Sequence, residues 1–224
     1  GGLITFSSHL LVFALGLVAS IILARVLGPG GKGIYALIVL IPALMLKLGS
    51  LGIEAANVYF TGSKQYETKD IVSNSLLSSI LLGSILISLF SGVFHLDIFQ
   101  NFLGSNQINP FYLWLVVLTV PFSLLSGFLI SIFLGKEKII IYNKINIFRA
   151  SFQLIAIIVF LLILKQGVLG AVISYVFGII SLALVVILLI KKFTKITFSF
   201  NRRLLNIKQT FVVMAYFGNL TQFL

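Results

Sequence analysis

The chain has no cysteine among its 224 residues. That excludes disulfides, thiolate metal ligands and a cysteine nucleophile. Charge is also scarce. Only 9% of the residues are Asp, Glu, Lys or Arg, against roughly a quarter in a soluble domain, too few to cover a water-facing surface. Acidic groups number five. Glu67, Asp70 and Glu137 lie in basic loops, Asp97 is alone in its segment, and Glu54 falls inside an apolar run. No two carboxylates have an acid/base spacing and no Asp-x-Asp metal motif occurs, so enzymatic activity is not expected. His9 and His95 read as interfacial residues, not as metal ligands. No metal and no cofactor is expected, although coupling to a proton or sodium gradient is compatible with the sequence. A basic lead and a small-residue cleavage site are missing before the first apolar run, which is too long for a signal peptide.

What the chain does have is apolar residues, 59% of the total, gathered in runs of about 20. Such runs need lipid as solvent, and their length selects helices over the shorter alternating strands of a barrel. The expected fold is all-α and integral to the membrane, with spans at about 5–27, 34–60, 71–94, 111–134, 142–164 and 167–190. A basic linker at 191–208 and the truncated start of a seventh span at 209–224 follow. With no initial Met and an end inside an apolar run, the sequence is expected to be a piece of a longer chain.

The net charge of +11 does not point to nucleic acid, because the cations sit in short loops between spans. Loops after the even spans carry Lys64, Lys69, Lys136, Lys138, Lys144, Lys191, Lys192, Lys195, Arg202, Arg203 and Lys208, eleven in all. Loops after the odd spans carry only Lys32 and Lys165. This bias places the even loops and the amino terminus in the cytoplasm.

A few polar groups fall within spans. Lys47 lies about 20 Å into the second span, near the bilayer midplane, where a charge costs at least about 2.5–3.5 kcal/mol. Ser50, Glu54 and Asn57, at offsets of three, seven and ten, share its face. The stripe reads either as the wall of a watery pathway or as a self-neutralising Lys47–Glu54 pair. Tyr142, Asn146, Arg149 and Gln153 form a second stripe. Arg149 there either snorkels to headgroups or contacts an anion as a bidentate fork. Arg25, at the end of the first span, is explained by snorkelling. The run Gly28-Pro29-Gly30-Gly31-Lys32-Gly33 lacks the Walker A spacing and reads as a tight hairpin turn. Ser75, Ser79 and Gly83, and likewise Ser84, Ser88 and Gly92, make two rows of small residues suited to helix packing. Pro42 and Pro121 are expected to bend the second and fourth spans. Phe111, Tyr112 and Trp114 read as an interfacial anchor.

Residues 24–37, ARVLGPGGKGIYAL, resemble the end of the first helix of bacterial polysaccharide flippases, which commonly read A-R-x-L-G-P-x-x-x-G-x-x-A-L there. Residues 51–60, LGIEAANVYF, are similar to the second helix of that family, and 216–224, YFGNLTQFL, to the seventh. The last segment also echoes Thr5–Leu11, as an internal repeat would. The resemblance is to the O-antigen and capsule flippases of the multidrug/oligosaccharidyl-lipid/polysaccharide exporter superfamily. It implies one six-helix lobe of a two-lobed, alternating-access transporter in the bacterial plasma membrane. It further implies flipping of undecaprenyl-pyrophosphate-linked oligosaccharide, with membrane lipids and other polysaccharide-assembly proteins as partners. Related lipid II flippases hold pyrophosphate with basic residues on the first two helices, the helices that carry Arg25 and Lys47 here. Three rivals stay open: a cation-coupled drug exporter of the same fold, a polytopic glycosyl-transfer enzyme, and a non-transporting scaffold.

Overall fold

Backbone that crosses hydrocarbon must hydrogen-bond to itself, and long apolar runs do so as helices. The computed structural model describes residues 2–194, and no strand occurs among the described residues. The all-α membrane fold expected from composition is therefore the observed one. Most of the linker expected at 191–208, and all of the segment 209–224, lie outside the described residues.

Helix α1 (Gly2–Gly49) is two limbs joined at Gly28. Gly28 has φ 66° and ψ −178°, a conformation that a Cβ would oppose. The chain doubles back here: Lys32 Nζ donates to Ser20 Oγ at 3.3 Å, whereas an unbroken helix would separate these residues by about 18 Å. Thr5–Gly49 contains 45 residues, about 68 Å of helix against a hydrocarbon core of about 30 Å, enough for two crossings. The tight turn read from the glycine run is thus present.

The stretch expected as one span at 34–60 is not one helix. The second limb stays helical through Pro42 and stops at Gly49. Leu51 and Gly52 take left-handed φ of 47° and 74°, and α2 (Ile53–Gly62) restarts the helix. Helices α3 (Thr68–Phe94), α4 (Asp97–Ser105), α5 (Pro110–Val117), α6 (Val120–Gly135), α7 (Ile139–Ile157) and α8 (Gly167–Lys191) follow. A π-helical stretch, Ile158–Ile163, extends α7. Helix α4 replaces what read as a polar loop; it buries Leu103 and leaves Ile98 in the open. Pro121 interrupts the fourth span only locally: Leu118 and Thr119, between α5 and α6, keep right-handed helical dihedrals, and Pro110–Gly135 stays one 26-residue segment.

Packing is tightest where α2, α3 and α6 meet. Ala56, Phe60, Ile71, Val72, Leu129 and Ile132 form one core there. Of the two small-residue rows on α3, Ser75, Ser79 and Gly83 are buried, and Gly83 faces Pro121 of α6. Ser84, Ser88 and Gly92 are exposed, so only one row serves packing among the described residues. Trp114 is not a free interfacial anchor: it packs edge-on against Phe90 with ring centroids 5.3 Å apart. Phe111 is exposed, 58% of its surface being open.

The loops sort by charge. Lys64, Lys69, Lys136 and Lys138 line one cavity together. The glycine-rich turn, through Pro29 and Gly33, lines a different cavity with Ser105, Asn106 and Gln107. The basic loops after α2 and α6 therefore share one rim of the bundle.

A Cβ at Gly135 would lie 2.7 Å from the Val58 carbonyl oxygen and 2.8 Å from Thr61 Cβ. Backbone cannot rotate away as a side chain would. Gly135→Ala is expected to destabilise the protein by about 1–3 kcal/mol, read as a lowered unfolding temperature in detergent. An unchanged temperature would show that α2 and α6 are less closely apposed than described.

Candidate functional site

Hydrocarbon tolerates a charge only where water or an opposite charge reaches it. Lys47, on the second limb of α1, Glu54 on α2 and Arg149 on α7 all have exposed side chains. Arg25, near the end of the first limb, is exposed too. Among the described residues the one salt bridge joins Lys69 to Glu67 at 2.7 Å. A Lys47–Glu54 pair is therefore not formed.

Depth makes this informative. Glu54 lies eight residues before the last residue of α2 and Arg149 ten residues after the first of α7, about 12 and 15 Å of helix from the basic rim. Half of a hydrocarbon core is about 15 Å. Both exposed charges thus sit two to three helical turns from that rim. Glu54 also borders α6: its Oε1 occupies the space that a Cβ on Gly127 would need.

The second stripe follows the α7–α8 seam. Gln153, half-buried, places its Oε1 where a Cβ on Gly178 would stand. Tyr35 of the second α1 limb and Tyr175 of α8 pack in the cluster around Ile38 and Val172. Sequence reading missed both tyrosines, because a tyrosine in an apolar run looks like ordinary core or membrane-interface filling. Asn146 is half-buried on the same helix.

The first stripe is divided by the break before α2. Ser50, half-buried, ends the limb that carries Lys47, whereas Glu54 and Asn57 ride on the restarted helix. Asn57 is fully buried and donates from Nδ2 to Ser75 Oγ and to the Phe128 carbonyl, both at 3.0 Å. It ties α2 to α3 and α6, so the bundle interior holds it. Among the described residues no group of three His, Asp or Glu could hold a metal ion.

Loss of Asn57 should therefore read as lost stability. Asn57→Ala is expected to cost about 0.5–2 kcal/mol, the scale of polar contacts between membrane helices. It should lower the unfolding temperature more than Lys47→Ala does. Equal unfolding temperatures for the two variants would contradict this division of roles.

No curated protein sequence matches the chain. The family model described as polysaccharide biosynthesis protein matches residues 1–221. The fold is similar to that of an outward-facing multidrug resistance MATE family transporter of the MOP superfamily, with TM-score 0.69 and 18% identity over 90% of this chain and 47% of that one. A MOP superfamily transporter from Pyrococcus furiosus, described as having a binding pocket of reverse polarity that suggests a different function, gives TM-score 0.70 and 16% identity over 91% and 48%. A MATE protein in complex with Br-NRF gives 0.69 and 18% over 92% and 49%. At such identities the likeness is one of fold. The chain spans about half the length of each of these structures. It belongs to the polysaccharide biosynthesis protein family and is a multi-pass membrane protein with the fold of MOP superfamily transporters.

Proposed function

We propose that the protein flips undecaprenyl-pyrophosphate-linked oligosaccharide from the cytoplasmic to the outer leaflet of the bacterial plasma membrane, for envelope polysaccharide synthesis. The observation that carries this reading is the set of exposed charges outside any salt bridge among the described residues: Lys47 and Arg149, in helices long and apolar enough to cross a membrane, and Glu54 on the short α2. Lipid would not accept them, so they border water or a second lobe of the same transporter.

The chemistry of the cargo fits two exposed cations on the membrane helices. A pyrophosphate and a glycan cannot enter hydrocarbon, whereas a polyprenyl tail stays there readily. Lys47 and Arg149 replace water around the phosphates, and Arg149 does so as a planar fork. Tyr35, Tyr175 and Asn146 offer hydroxyl and amide partners for sugar. Rocking of two lobes then moves the opening from one face to the other. Because the chain spans about half of the solved transporters, it supplies one wall of the pathway in this reading. The reading gives it no enzymatic role, and its partners are the lipid-linked glycan, the surrounding lipids and other polysaccharide-assembly proteins.

Glu54 favours one elaboration. An exposed carboxylate without a cation beside it suits a proton or sodium ion, so coupling to an ion gradient belongs with this residue. The same feature is what a cation-coupled drug exporter would use. Against that rival stand the two cations facing a single carboxylate.

The test is genetic and uses the full-length gene. With the gene deleted, Lys47→Ala or Arg149→Ala should restore surface polymer about ten-fold less well than wild type, the effect of losing roughly 1.4 kcal/mol or more of charge-assisted binding. Lipid-linked glycan should accumulate on the cytoplasmic leaflet while the variants insert normally. Normal surface polymer in the deletion strain and in both variants would overturn the flippase reading and favour the drug exporter or a scaffold.

A further inference from the structure

We propose that the basic rim of the bundle holds a phosphate-binding site, separate from the intramembrane charges, in the cavity between the α2–α3 and α6–α7 loops. The cavity has a volume of about 970 Å³, at the upper end of the roughly 300–1,000 Å³ typical of small-molecule sites. Its assignment to the cytoplasmic face rests on the flippase reading above; its chemistry does not.

Four lysines line it: Lys64, Lys69, Lys136 and Lys138. The positive-inside bias accounts for lysines being on this side, but it requires only that they be there, in water. It does not account for Lys136 and Lys138 being half-buried side by side. Burial and the neighbouring Lys138 charge hold the Lys136 ammonium below its ordinary range. An anion in the cavity relieves both costs. The carboxylates present do not do so already. Glu67 is taken by Lys69 at 2.7 Å, and Glu137 is exposed and makes no salt bridge among the described residues. Lys138 is steered by the Phe193 ring, whose centroid lies 3.6 Å from its Nζ.

Two further features select an anion with several acceptor oxygens. Thr61 lines the cavity, is only 7% exposed, and its Oγ1 has no hydrogen-bond partner among the described residues. A buried hydroxyl without a partner is uncommon and marks a place for a missing acceptor. Thr68 and Lys69, in the first turn of the 27-residue α3, also line the cavity, which adds the positive end of that helix's dipole. Lysines, a hydroxyl and a helix amino terminus are together a phosphate environment. A diphosphate group, with more oxygens than a single phosphodiester, engages more of it. At the cytoplasmic rim such a site captures a phosphorylated headgroup before it moves to the intramembrane cations.

Full-length protein in phosphatidylcholine nanodiscs, titrated calorimetrically with inorganic diphosphate, tests this. Wild type should bind. Lys136→Gln/Lys138→Gln should weaken binding by about ten-fold or more, as expected for losing two charge-assisted contacts, and Thr61→Val should weaken it by less. With Lys47→Gln/Arg149→Gln in place, which removes the cations assigned above to the cargo phosphates, diphosphate should still bind, and adding Lys136→Gln/Lys138→Gln should weaken that binding by the same factor. Co-elution of every variant with wild type on gel filtration guards against misfolding. No binding by wild type, or equal binding by wild type and the Lys136/Lys138 variant, would overturn the proposal; so would loss confined to the Lys47/Arg149 variant. Phosphatidylglycerol in the nanodisc separates two sources of the phosphate. Competition that disappears in the Lys136/Lys138 variant identifies a bulk lipid headgroup, and no competition identifies a diphosphate-selective site; either outcome supports a phosphate site. The flippase reading can fail independently, since normal surface polymer in the Lys47 and Arg149 variants would leave rim binding standing.

Discussion

Everything in this chain answers to one constraint: hydrocarbon solvates neither an open backbone nor an isolated charge. The first half of that constraint produces the architecture. Each apolar run closes its own hydrogen bonds as a helix, and reversals fall either at Gly28 or at polar loop residues such as Lys64, Gln107, Glu137 and Lys165. The second half produces the functional signal. A helix protein with so few charges has little reason to place Lys47 and Arg149 on open surface within segments long enough to cross a membrane unless that surface is not lipid-facing.

The same constraint separates structural polarity from functional polarity. Asn57 is as polar as its neighbours on α2, yet it is fully buried, with donors spent on Ser75 and Phe128. A buried amide that is satisfied rigidifies its surroundings and has nothing left to offer a ligand. Glu54, one turn away, is exposed and forms no salt bridge among the described residues. Adjacent positions on one short helix thus differ: Asn57 ties α2 to α3 and α6, and Glu54 is exposed.

What could be read in advance followed from how local the signal is. The hairpin at Gly28 was legible because a glycine-rich run with a proline marks a turn by itself. The gathering of lysines on one rim was legible from their alternation between loops. The break at Leu51-Gly52 was not. A lone glycine within an apolar run is usually tolerated, and Pro42, the more conspicuous residue, passes without ending its helix. That error carried into the first stripe, since a common face for Lys47 and Glu54 assumes an unbroken helix. Helix α4 was missed because its polar residues, Asp97, Gln100 and Asn101, mask a short buried side made by Leu103. The rim cavity was invisible for a different reason: it joins Lys64 to Lys136 through the crossing of α2 and α6 near Gly135, a contact between distant segments that no local pattern records.

The chain belongs to the polysaccharide biosynthesis protein family and has the fold of MOP superfamily transporters, while the nature of the pathway depends on whether the intramembrane charges meet water. Because the chain lacks cysteine, single cysteines report this directly. With full-length protein in native membranes, and any cysteines elsewhere in the protein removed, positions 47, 54 and 149 should react with a hydrophilic maleimide. Positions 81 and 89, exposed leucines on α3, should not. Protection of 47, 54 and 149 to the same degree as 81 and 89 would contradict a watery pathway along these helices and make the charges structural.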